Sequence, residues 1–477
     1  MTGPPQWRGP RRASFLQRGQ WPWLRDAPPS AAFAARGLLG SGTVDDDRLA
    51  RAVAAVADAV PLLRTTFAED DAGLWLRADG DGAALTRTDL RGDDEPHARC
   101  VALLRADRGR HTDPERGPLV RFHLVRLTGH DVVLGVVAHR LLLDARSLYM
   151  VLGAVWQAYF GRFRAARYRD FAEVVDFHPL GRENVVAARR RWWSRRLPPL
   201  RDHPAAEAPA RENRTSRLRI SGARWHALTE LGGRGGGSGS LALAALTAWW
   251  LHAHGARGDR PHLSAELDLR DHLELGPVIG PLTDRLVFGV DLAGLRDPSF
   301  RDVMLRTRIG FLDAVVHYLP YHDVVDLAVE LGVAVPPRVA ARWDTAVHFC
   351  RNAPSSSLTR GERSLAELGV SIELFREADL LGAGNAARAG GWDGTNLDLS
   401  VGELGEDKVI VFDHNGLQPD RPATSGLLPC LDAAVERAVT DPAAPLTTGI
   451  IKAGAGGGGE TTGGEITDRE IVRRSDR

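Results

Sequence analysis

The chain has 477 residues, enough for two lobes with cores of their own, since a single core rarely grows past about 250 to 300 residues. Its 61 basic residues balance 61 acidic ones, which argues against binding of nucleic acid or a membrane surface driven by net charge. Cys100, Cys350 and Cys430 are far apart and lack CxxC spacing, so neither a disulfide framework nor a metal site is indicated. The N-terminus has no apolar h-region and no uncharged run reaches the ~18 residues of a membrane span; the expectation is a cytoplasmic protein without a membrane segment.

Residues 1–12 are rich in Pro, Gly and Arg and are expected to fray. Ser14, Gln17 and Trp21 follow with SxxQxxxW spacing. Residues 44–60 predict a helix: Asp45, Asp46 and Asp47 suit its N-terminal dipole end, and Leu49, Val53, Val56 and Val60 form a stripe. Leu63-Arg64-Thr65-Thr66-Phe67 comes next, then a strand at 74–77, a helix at 97–105 and a strand at 120–127. Residues 132–138 are almost unbroken aliphatic, as in a strand covered on both faces. From Leu148 the period changes to that of a helix face, with Leu148, Val151, Leu152, Val155 and Tyr159 in register and Asp144 or Ser147 able to cap the start. His139, Arg140 and Asp144 therefore fall on a short turn between a buried strand and a helix, where a scaffold can hold polar side chains in fixed directions.

Beyond that turn lie Tyr168-Arg169-Asp170-Phe171-Ala172 and a basic, aromatic run at 189–196, RRRWWSRR, which reads as a solvated helix face in preference to a nucleic-acid patch. A Pro- and charge-rich stretch at 198–214 marks a linker. The second half predicts a strand at 217–220, a helix to 231, and a Gly-rich loop at 231–240 that lacks the Lys of a phosphate cradle. A helix at 241–254 and a strand at 263–269 lead to Arg270 and to Val278-Ile279-Gly280-Pro281-Leu282-Thr283-Asp284. Ser299 caps a helix with the stripe Phe300, Val303, Met304, Thr307, Phe311 and Val315. His317-Tyr318-Leu319-Pro320-Tyr321 ends it. Strands at 345–349, 371–375 and 408–412, a Gly/Ala loop at 382–394 and Asn396-Leu397-Asp398-Leu399-Ser400 complete this half. From 449 the chain turns to Gly and Thr, a composition expected to be disordered.

The turn carries a resemblance to the condensation domains of nonribosomal peptide synthetases, within the wider chloramphenicol-acetyltransferase-like group. The family signature is HHxxxDG, and here it reads His139, Arg140, Leu141, Leu142, Leu143, Asp144, Ala145. The SxxQxxxW, LRTTF, YRDFA and VIGPLTD stretches follow the family's motifs in order, although the RHE that usually precedes LRTxF is replaced by Ala59-Val60-Pro61. The resemblance implies an α/β fold of two chloramphenicol-acetyltransferase-like lobes in a V-shaped pseudo-dimer with a tunnel between them. The lobes would span 13–197 and 215–448, joined by the 198–214 linker and flanked by disordered ends at 1–12 and 449–477.

By the same resemblance His139 matches the first His, and Arg140 stands where the second, catalytic His belongs. Asp144 is expected to pair with Arg270, Ser147 and Ala145 (in place of Gly) to shape the turn, and Ile279, Gly280 and Thr283 to line the tunnel floor. If residue 145 has positive φ, the exchange of Gly for Ala costs about 1 to 2 kcal/mol. No metal or bound cofactor is implied; the phosphopantetheine arm of a partner carrier protein is.

A neutral imidazole can accept a proton, whereas guanidinium, with a pKa above about 12, cannot. Arg140 is thereby excluded as a general base but can donate to a carbonyl or oxyanion. As a substitute base His139 would point to the opposite side of the extended chain, so a buried, hydrogen-bonded His is the expectation. The implied function is that of a condensation-like protein of nonribosomal peptide or related biosynthesis. It would act on or dock carrier-tethered acyl or peptidyl groups and be degenerate for His-dependent amide formation. The alternatives are an active stand-alone transferase forming an amide or ester with Arg140 as oxyanion donor, and a non-catalytic platform recruiting a tailoring enzyme. A CoA-dependent acyltransferase of the same fold would suffer equally from the missing His.

Overall fold

The computed structural model describes residues 7, 9–25, 27, 29–78, 84–175, 183–197, 214–233, 238–253, 259–332, 345–350, 370–375, 397–404, 406–414 and 427–446. The expected linker (198–213), residues 234–237 of the Gly-rich loop, the 382–394 loop and the 449–477 tail lie outside them. Contacts divide the chain into two units. The first comprises Met1–Gly181 together with Leu267–Asp284 and Asn352–Leu380, and the second Arg182–Glu266, Arg285–Arg351 and Leu381–Arg477. Two stretches from the second half of the sequence are thus counted with the first unit, because each bonds to it: one at the Asp144 turn, the other as a sheet edge.

The first unit is built on a five-stranded sheet in the order Val370–Leu374, Phe33–Gly42, Asp131–His139, Val120–Arg126, Ala84–Asp89. All neighbours are antiparallel except the last pair. Asp131–His139 is buried at every position after its first, which is why its sequence is aliphatic on both alternating faces. The Asp46–Ala59 helix, with Asp45 accepting from the Arg48 N–H as N-cap, packs beside the Ala145–Tyr159 helix. Gly40 lets that second helix come close: a Cβ there would lie 2.5 Å from the Trp156 ring. A smaller sheet runs Arg11–Arg12, Gly73–Arg77, Thr66–Asp70. The first twelve residues are accordingly not all frayed. Arg11 and Arg12 pair with Leu76 and Trp75, and the Trp7 indole N–H reaches Asp170 at 3.2 Å.

The second unit carries a six-stranded sheet in the order Thr283–Gly289, His262–Asp268, Thr345–Cys350, Leu397–Leu404, Asp407–His414, Arg214–Ile220. Its centre is parallel, and its Arg214–Ile220 side antiparallel. The helices Gly222–Gly232, Ser238–Ala253, Phe300–Val316 and Leu427–Thr440 pack on one another, the buried Ser238–Ala253 helix at their centre. Among the described residues no helix is long and apolar enough to cross a membrane.

Candidate active site

The aliphatic strand delivers His139 to a tight turn held by backbone hydrogen bonds. His139 N–H donates to the Leu119 carbonyl, Arg140 N–H to the Ala32 carbonyl at 2.8 Å, and Leu142 and Leu143 N–H both to the His139 carbonyl. Leu141, Leu142 and Leu143 are wholly buried and anchor the turn in the core. Asp144 then ends it as N-cap of the Ala145–Tyr159 helix, its Oδ1 accepting from Ser147 N–H at 2.8 Å.

Asp144 and Arg270 stand together. Arg270 Nη1 donates to Asp144 Oδ2 at 2.8 Å and Nη2 to Oδ1 at 3.2 Å, a forked pair with both side chains buried. The remaining valences are filled. Leu282 N–H and Thr283 Oγ1 also donate to Asp144 Oδ2, at 2.8 and 3.1 Å. Arg270 reaches the carbonyls of Val278 (2.7 Å) and Gly280 (2.6 Å), Asp268, and Ser147 Oγ at 2.7 Å. Ser147 Oγ in turn donates to the Gly280 carbonyl and accepts from its N–H. Burial pushes the Asp144 carboxyl up, but the Arg270 charge and the hydrogen bonds from Arg270, Ser147 and Leu282 outweigh it and hold the group below the ordinary carboxylate range. For Arg270 burial works against the charge, and Asp144 and Asp268 more than compensate. Arg146 adds an outer clasp to Asp268 and Asp271 at 2.7 and 2.8 Å.

His139 is almost fully buried, with the Phe33 ring edge-on at 5.0 Å. Its Nδ1 accepts from Leu141 N–H at 3.2 Å, so the neutral ring carries its proton on Nε2, and that nitrogen has no hydrogen-bond partner among the described residues. Burial, with Arg140 and Arg121 nearby, lowers the imidazole to about 3. Arg140 is half-buried. Among the described residues no cluster of three or more His, Cys, Asp or Glu could hold a metal.

The family model of the condensation domain matches residues 11–252. The chain belongs to the condensation-domain family. Among solved structures, this condensation domain superposes on tallysomycin biosynthesis protein TlmII with a TM-score of 0.80 and 66% identity, over 92% of this chain and all of that one. SgcC5 from Streptomyces globisporus, solved with a naphthyl ethanediol and sucrose, gives a TM-score of 0.66 over 87% of this chain and 94% of its own, and at 19% identity shows the fold alone. A linear gramicidin synthase of Brevibacillus parabrevis is 26% identical over 350 residues, 68% of this chain. The condensation domain spans only 7% of that relative's length.

The structure adds three residues to the turn that composition and spacing did not mark as part of it. Gln17 Nε2 donates to the Leu141 carbonyl at 2.7 Å, so the SxxQxxxW stretch holds the condensation-domain turn from behind, its Ser14 and Gln17 forming a reciprocal capping box. Phe171 of the YRDFA stretch lies against Gly280, where a Cβ would sit 2.2 Å from its ring. Asp268 binds Arg270. Ile279 is buried, Gly280 is fixed by Ser147 and Phe171, and Thr283 touches Asp144. Ala145 is the first residue of a right-handed helix and has no positive φ, so the exchange from Gly carries no backbone strain.

Proposed function

We propose that this condensation domain docks acyl or peptidyl groups tethered to a carrier protein's phosphopantetheine arm, in the cytoplasm, and does not form amides by imidazole catalysis. The carrying observation is that the turn keeps the full Asp144–Arg270–Ser147 lock while Arg140 takes the place of the family's second His. A guanidinium accepts no proton. His139 supports the reading from the other side: Nδ1 already accepts from Leu141 N–H, and the ring is buried and neutral, so no base is left in the motif.

The second reading is transfer by charge stabilisation. A lock this completely bonded preserves a fixed geometry at residue 140, and a guanidinium so held can donate to a developing oxyanion. The likeness to tallysomycin biosynthesis protein TlmII supports a role in natural-product biosynthesis in either case.

The test is a single-turnover assay with a thioester-loaded carrier domain and amine or alcohol acceptors, read by mass spectrometry, beside binding of the same carrier. Binding without product is the expected result. Product that Arg140→Ala abolishes and Arg140→Lys partly restores would replace the first reading with the second.

A further inference from the structure

The Phe300–Val316 helix buries Phe300, Val303, Met304 and Thr307 and turns its other face outward. On that face Leu305, Ile309, Leu312 and Val316 are 58%, 53%, 57% and 64% exposed, four of the five large apolar side chains left exposed among the described residues. Their spacing of four, three and four residues makes one stripe, about 17 Å long at 1.5 Å per residue. A contiguous apolar stripe in water usually marks an interaction surface.

Just past Val316, His317 lines a groove of about 540 Å³ whose other lining residues, Arg189, Arg191, Arg195 and Arg196 among them, come from the Glu183–Ser194 helix and its end. Asp313, one turn before His317, receives Arg196 at 3.7 Å. His317 stacks flat on Trp192, centroids 4.3 Å apart at 5°, and the Arg196 guanidinium lies 4.1 Å over the same indole. His317 Nδ1 donates to the Asp313 carbonyl and Trp193 Nε1 to the His317 carbonyl, so the floor is fixed. Arg189 and Arg190 are engaged with the Tyr318 carbonyl and Glu330. Arg191 and Arg195, on the rim, are exposed and have no ion pair among the described residues.

Charge decides what fits. A strand of nucleic acid needs a free aromatic face for its bases, and both His317 and Arg196 already pack on Trp192. A second copy would bring its own Arg191 and Arg195 against arginines that have no ion pair among the described residues. An acidic helix with an apolar ridge satisfies both halves. We propose that this face docks the carrier domain itself, an apolar ridge of its helix lying on Leu312 and Val316 and its flanking carboxylates on Arg191 and Arg195. The proposal rests on the reading that the chain handles carrier-borne groups and adds where the carrier sits.

The experiment titrates a phosphopantetheinylated carrier domain into the full chain and into two double variants, Arg191→Glu/Arg195→Glu and Leu312→Gln/Val316→Gln. All four side chains are exposed, so both variants keep the fold. The expected result is at least tenfold weaker binding for each, with a flatter salt dependence for the arginine pair alone. Tight binding by the wild type that neither variant weakens overturns the docking surface and leaves the proposed function standing. No binding by the wild type overturns both. A wild-type dimer that Leu312→Gln/Val316→Gln dissolves assigns the face to a second copy and overturns the proposal.

Discussion

The side-chain amide of Gln17 donates to the carbonyl of Leu141 at 2.7 Å, joining residues 124 apart in sequence. Through that bond the N-terminal capping box and the turn bearing Arg140 become one rigid piece. Leu141 is buried, so its carbonyl has no water to fall back on.

Gln17→Ala should therefore cost about 1 to 3 kcal/mol of stability, the usual cost of a buried polar group left unpaired. Chemical denaturation of the variant checks it, and a cost within the error of a surface substitution would show that the bond contributes nothing.

Arg270→Met should be more severe, about 3 to 5 kcal/mol, because it leaves the Asp144 carboxylate buried without its counter-charge. Asp144→Leu combined with Arg270→Met should cost less than the two single changes added together. A double-mutant cycle by thermal or denaturant unfolding measures the difference.

Gly280→Ala should destabilise by about 1 to 3 kcal/mol through overpacking against Phe171. Phe171→Leu introduced into that variant should recover part of the loss by making room. If the second change only adds to the first, the two residues do not meet as described.

The pH dependence follows from His139. Its folded value, about 3, lies below the ~6.5 of an unfolded imidazole. Between those values the unfolded chain binds the extra proton, so this stabilising contribution is complete above about pH 6.5 and is lost as pH falls toward 3. The Asp144 contribution is lost only at lower pH, below the ordinary carboxylate value of about 3.9. His139→Gln should flatten the stability profile between about pH 4 and 6.5, by up to one proton's slope, or roughly 1.4 kcal/mol per pH unit. Unfolding midpoints across that window compare the two proteins.

Local pattern made some of this legible. The Asp46–Ala59 helix announces itself by acidic residues at its start and an aliphatic stripe, and the Asp131–His139 strand by an apolar run too short for a spanning helix. The Phe33–Gly42 strand, next to it in the sheet, went unread. Its sequence, FAARGLLGSG, has no β-branched residue, and Gly40 is there for the Trp156 ring and not for the strand. The pairing of Asp144 with Arg270 came into view only through family likeness, since nothing local to either residue names its partner 126 positions away. Phe171 against Gly280 and Gln17 on Leu141 are likewise long-range contacts, which periodicity does not encode.

Because Arg270 and its neighbours are counted with the first unit, the linker is a poor place to divide the gene. An expressed fragment ending near residue 197 would retain Asp144 but forfeit the guanidinium, the Leu282 amide and the Thr283 hydroxyl that satisfy it. Such a fragment should fail to give a cooperative melt, since it also lacks the Val370–Leu374 edge strand, and adding the 267–284 peptide in trans should restore only the Asp144 contacts. Anyone building chimeras from relatives should exchange that peptide together with the N-terminal half.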